Sequence, residues 1–169
     1  MKTNSFDLLP ESECHTGDLY EKDFVAWADR QALLLEQKCF TELDLVNLVE
    51  EVKDLANRYR DALDSQLTRL LMHLLKWQYQ PQRRSSSWSG TIKEARKQIV
   101  RLIRKYPVLA VYVQKVWIEC YLNAREDAAD ETGLPLNTFP LDSPYDLKQV
   151  LNAEFMPEPT DDNGEQLPS

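Results

Sequence analysis

The residues best equipped for chemistry crowd into one stretch, HLLKWQYQPQRRSSSWSGTI at positions 73–92, with Arg96 just beyond it. On a helix, His73 has Arg69, Leu70, Lys76 and Trp77 as neighbours at three and four residues. Cations on both sides disfavour the imidazolium, so His73 is expected to stay neutral near pH 7. A neutral imidazole can act as general base or as a ligand. The competing reading is a histidine at the rim of a core, held by one hydrogen bond. A second group is Glu50, Glu51 and Asp54. Glu51 and Asp54 are three apart and share a helical face. Such carboxylates can hold a divalent cation or exchange protons, or they can simply pair with cations and face water. Glu51, His73, Lys76, Trp77, Trp88 and Arg96 are therefore the candidate polar cluster. In an enzyme acting on a phosphorylated or nucleotide substrate, Glu51 and His73 would be acid and base, and Lys76 and Arg96 would clamp the anion.

A third group is basic. Arg83, Arg84, Lys93, Lys97, Arg101 and Arg104 can form one cationic ridge, with serines and Trp88 beside it. Arginine and lysine at such spacing contact phosphates, and a tryptophan can stack on a base. Neutralisation by acids of the same chain or of a second subunit is the other reading, and the charge totals favour it. Between Gln66 and Tyr106 ten cations face the single acid Glu94, a segment of +9, which leaves −17 for the rest of a chain whose net charge is −8.

Several reaction classes have no sequence support. There is no glycine-rich phosphate loop, no Gly-x-Ser-x-Gly, no His-Glu-x-x-His and no Glu-x-x-His. With two histidines in all, a histidine-rich metal site is excluded, and no metal or cofactor is expected. Cys14, Cys39 and Cys120 are too dispersed for a metal site or a disulfide framework, so reduced thiols in a cytoplasmic protein are expected. The opening MKTNSFDLLPESE lacks the apolar core of a secretion signal, and the run VLAVYV at 108–113 is too short to span a bilayer.

The elements that must position these residues read as helices. Only four glycines occur in 169 residues, and helix formers fill the middle. Apolar spacing predicts a helix over about 19–37. Thr41 or Asp44 is a cap for the next. From Leu45 the residues Val49, Val52, Ala56, Tyr59 and Leu63 step by four and three in alternation, the signature of a coiled-coil seam. No proline interrupts it before Pro81, so one helix of about 36 residues and about 54 Å is predicted, long enough to imply a kink or a packing role between molecules. Ser89 is the expected cap of a helix over 90–105, and Pro107 opens another that stops at Thr132-Gly133. LPLNTFPLDSPYD at 134–146 reads as an extended, proline-rich segment packed along the bundle, and Ser143-Pro144 as the start of a short helix reaching Asn152. The fold expected is all-α: a bundle of four main helices, one of them very long, with a short C-terminal helix and an extended proline-rich segment. Its limits are a loose arm at 1–17, one helical domain at 18–156 and a disordered acidic tail at 157–169.

Six blocks carry a resemblance: LYEKDFVAW, LDLVNLVEEV, HLLKWQYQP, SSSWSGTIKEAR, AREDAADETGLPLNTFP and PYDLKQVLNAEFMP. In this order, from Leu19 to Pro157, they resemble the domain-of-unknown-function family numbered twenty-nine, best represented in cyanobacteria. The resemblance implies a small, all-helical, cytosolic bacterial domain without an established activity. Its motif positions here include Tyr20, Asp23, Trp27, Glu50, Glu51, His73, Lys76, Trp77, Pro81, Trp88, Thr91, Ile92, Arg96, Tyr121, Ala124 and Pro140. Three functions follow as expectations. The first is a non-catalytic helical interaction or regulatory module, as a homodimer or with a protein partner. The second is a nucleic-acid-associated protein using the basic 83–105 segment. The third is the phosphate-directed enzyme. No membrane partner is expected.

Overall fold

The computed structural model describes residues 16–160, so the arm at 1–15 and the tail at 161–169 lie outside the described residues. The described chain is all-α, with six helices and no strand: α1 (Thr16–Lys22), α2 (Phe24–Glu36), α3 (Leu45–Tyr79), α4 (Ser86–Lys105), α5 (Leu109–Thr132) and α6 (Leu147–Leu151). It divides into two units, Met1–Ala56 and Asn57–Ser169. The long helix predicted from the four–three repeat is present as α3, 35 residues without a break.

In the first unit the single helix expected over 19–37 is divided at Asp23. The Asp23 carboxylate accepts from the amide of Ala26 at 3.0 Å and caps α2, while its own amide closes α1 on the carbonyl of Leu19. An aspartate makes a strong N-cap, so it starts a new helix where the apolar spacing runs straight through. After α2, Lys38 takes the left-handed backbone (φ 61°) that lets the chain reverse. Asp44 then opens α3 by accepting from the amide of Asn47 at 3.3 Å. Its amide donates to Gln31 at 2.9 Å, and Nε1 of Trp27 donates to its carboxylate at 3.1 Å. Burial pushes the Asp44 carboxyl up, but the bonds from Asn47 and Trp27 outweigh it and hold the group below its ordinary value. Among the described residues of this unit only Trp27, Gln31 and Leu34 are buried.

The second unit holds the main core. Leu63, Leu67, Leu70, Leu71, Leu74 and Leu75 of α3 are fully buried, against Ile92 and Ile99 of α4 and Val113, Ala124 and Ala128 of α5. Each such leucine contributes about 1.5–3 kcal/mol. Two caps fall earlier or later than the serines predict. α4 begins at Ser86, because the Oγ of Ser85 accepts from the amide of Trp88 at 3.3 Å, and this places Trp88 in the first turn rather than in a loop. α6 is capped by Asp146, not Ser143: its carboxylate accepts from the amide of Gln149, whose side chain accepts in return from the amide of Asp146. The α5 stop at Gly133 follows the prediction, with φ 72° and its amide on the carbonyl of Ala129.

The proline-rich segment is strapped to α5. Arg125 donates to the carbonyls of Phe139 (2.9 Å) and Leu136 (3.0 Å), and the hydroxyl of Tyr121 donates to that of Pro140 (2.7 Å). The following residues run back to α3, where the amide of Thr160 donates to the carbonyl of Gln78 at 3.1 Å.

Candidate functional site

The polar residues at the C-terminal end of α3 join three helices. Lys76 is 5% exposed. Its ammonium pairs with Glu131 of α5 and lies 4.5 Å from the ring centre of Trp88 in α4. A buried ammonium needs such compensation, from a carboxylate on one side and an aromatic face on the other. One turn earlier, Nδ1 of His73 is 3.1 Å from the carbonyl of Arg69. A carbonyl can only accept, so Nδ1 carries a proton, and the neutral ring keeps its lone pair on Nε2. Burial is the main reason the His73 pKa lies below its ordinary value of 6.5; the bond to the Arg69 carbonyl and the charge of Glu131 oppose it, and the charges of Lys76 and Arg69 add to it. Sequence reasoning reached the same direction from the cations alone.

The other candidates are held separately. Trp77 lies under the guanidinium of Arg84 at 4.7 Å, and Nε of Arg84 donates to the Trp77 carbonyl at 2.8 Å. A second Arg84 nitrogen donates to the carbonyl of Pro157 at 3.4 Å. Arg84 therefore fixes the C-terminal segment, whereas Arg83 is exposed on the short turn Pro81–Arg83. Arg96 is 4% exposed and donates through three nitrogens: to the carbonyl of Val150 at 2.6 Å, to that of Ala153 at 3.2 Å, and to that of Phe155. An anion clamp needs free donors at a surface, and Arg96 instead ties α6 and the residues after it to α4. Glu51 belongs to the first unit, where it accepts from the hydroxyl of Tyr20 at 2.7 Å; that bond pushes the Tyr20 pKa up to about 12. The other five belong to the second unit.

The remaining cations define a different feature. Lys93, Lys97, Arg101 and Arg104 are exposed, and none has an acidic partner among the described residues. They line a groove of about 600 Å³ with Val100, Leu151 and Ala153. Of the acids near the end of α5, Glu131 answers Lys76 rather than this ridge. Among the described residues no group of three His, Cys, Asp or Glu side chains is placed to hold a metal ion, and no helix is long and apolar enough to cross a membrane.

A further feature lies on α3 within the first unit. Asn47, Leu48 and Glu51 are half-buried. Asn47 donates to Asp44, which also accepts from Trp27 of α2, and Glu51 accepts from Tyr20 of α1, so the flank of α3 that carries Asn47 and Glu51 faces α1 and α2. Its apolar flank is left open: Leu45 is 59%, Val49 50% and Val52 63% exposed, and Val46, Leu55 and Ala56 are exposed beside them.

The partners in these contacts are less legible in the sequence than the members. Glu131 is one of four acids at 126–131, singled out only by lying three residues from buried Ala128. Arg125 and Gln78, which anchor the C-terminal half, give no sequence signal at all.

The family model described as "Domain of unknown function DUF29" matches residues 19–156. No curated protein and no solved structure matches the chain.

Proposed function

Because the chain belongs to this family of unassigned function, we propose from its own geometry that it is a non-catalytic helical interaction module, self-associating through the α3 face of its first unit. The observation that carries this reading is the seam Leu45, Val49, Val52 and Ala56, spaced by four and three and open to solvent. An alternating apolar seam is what two helices need to interlock knobs into holes, and a contiguous apolar patch on a surface marks an interaction site. The unit's own bonds from α3 run through Asn47 and Glu51 rather than through the seam, so a second helix can be received without disturbing Trp27, Gln31 or Asp44.

The enzyme reading is the weaker one. It needs Lys76 and Arg96 as free anion clamps, and both are buried and bonded within the second unit. The neutral His73 alone is what a histidine at a core rim also looks like.

Analytical ultracentrifugation across concentration tests the proposal. The wild type is expected to sediment as a concentration-dependent dimer, and Val49→Glu with Val52→Glu as a monomer with unchanged helicity. A monomer at all concentrations for the wild type, or a dimer indifferent to both substitutions, overturns it.

A further inference from the structure

The groove on α4 is independent of that face and belongs to the second unit. Lys93, Lys97, Arg101 and Arg104 step by four, four and three residues, so they line one side of α4 for about 16 Å. Opposite them, the groove is walled by Leu151 and Ala153, with Val100 between the cations, 39% exposed. The wall does not rest on loose chain. Arg96, buried beneath the groove, holds the carbonyls of Val150 and Ala153 and fixes the separation of the two sides. The site therefore combines an apolar floor with a basic rim, and none of the four rim cations is held in an ion pair among the described residues.

We propose that this groove binds an acidic amphipathic helix of a protein partner. Charge complementarity and spacing argue for it. Carboxylates four residues apart on a helix recur about every 6 Å along its axis, matching the rise between Lys93, Lys97 and Arg101 when the partner lies along α4. Its apolar side chains would cover Val100, Leu151 and Ala153, as in other helix-in-groove complexes. A nucleic acid fits less well. The lining residues include no aromatic on which a base could stack. Trp88, the tryptophan nearest in sequence, is already covered by Lys76. A chain of net charge −8 also repels a long polyanion beyond the groove itself.

The test is fluorescence anisotropy with the full-length protein and four probes: a labelled amphipathic peptide of about 18 residues with leucines on one face and flanking glutamates, the same peptide with lysines for glutamates, and single-stranded DNA and single-stranded RNA of about the same length. The glutamate peptide is expected to bind at about 50 mM salt and to weaken at about 300 mM. Lys97→Glu with Arg101→Glu, both at exposed positions, should weaken it by about tenfold or more and should gain binding to the lysine peptide, with helicity unchanged. Val49→Glu with Val52→Glu should leave the affinity unaltered, which separates this site from the α3 face. The proposal is overturned if no peptide binds at low salt, if charge reversal has no effect, or if DNA or RNA binds the same cations more tightly than the glutamate peptide.

Discussion

The two units use the same amino-acid vocabulary in opposite ways. In the second, the apolar positions of α3 from Leu63 to Leu75 are sealed by α4 and α5. In the first, the earlier turns of the same helix carry an equally regular apolar seam that nothing in their own unit covers. Burial is what converts apolar surface into stability, so the second unit supplies its own stability. The first, with Trp27, Gln31 and Leu34 as its buried residues among those described, places its largest apolar resource outside. One helix is thus sealed core in one place and open apolar surface in another, and the spacing of its leucines and valines does not distinguish the two.

The comparison is broken most sharply by truncating the seam on each side. Leu70→Ala, at a site with no exposure, should cost about 3–5 kcal/mol in chemical denaturation. Leu45→Ala, exposed, should cost under about 0.5 kcal/mol in the dilute monomer. Equal costs at the two positions would show the division of roles to be wrong. Arg96→Lys comes next. One ammonium cannot reach the three carbonyls of Val150, Ala153 and Phe155, and a loss of about 2–4 kcal/mol is expected. Hydrogen exchange should rise at residues 150–155, whereas unchanged exchange there would remove Arg96 as the tie. Glu131→Ala follows, at about 2 kcal/mol, because buried Lys76 keeps Trp88 but loses its carboxylate; a stability equal to wild type would mean that the ring alone compensates the charge.

The smallest effect belongs to His73, and its sign is fixed by linkage. The folded pKa lies below 6.5, so on acidification the unfolded chain takes up its proton first. Stability from this group is complete above about pH 6.5 and is lost as the pH falls from there toward the folded pKa. His73→Gln should flatten that part of the stability–pH curve and leave stability near pH 8 little changed. A slope that survives the substitution would assign it to another group.

Much of the second unit is legible in the sequence because its rules are local. The four–three repeat marks α3, Pro81 and Gly133 mark ends, and the i, i+4 cations mark one face of α4. What stays hidden depends on choice among equivalents or on distance along the chain. Four serines at 85–89 can each cap α4, and only the backbone at Ser85 selects one. Asp23 reads as a surface acid within a helix until its carboxylate is seen to accept from Ala26. Arg96 and Lys97 are adjacent cations in the sequence, yet one is buried on carbonyls more than fifty residues away and the other lines an open groove. The groove itself is illegible, since its second wall comes from Leu151 and Ala153. Residue type alone groups Glu51 with His73; the structure gives it Tyr20 as its partner in the first unit.

Hydrogen exchange of the full-length wild type at low and high protein concentration reads the central claim directly. If the open α3 seam receives a second copy, the amides of residues 45–56 gain protection as concentration rises, those of 63–75 stay protected throughout, and Val49→Glu with Val52→Glu abolishes the gain. Protection of residues 45–56 that is the same at every concentration, in wild type and variant alike, would contradict the account.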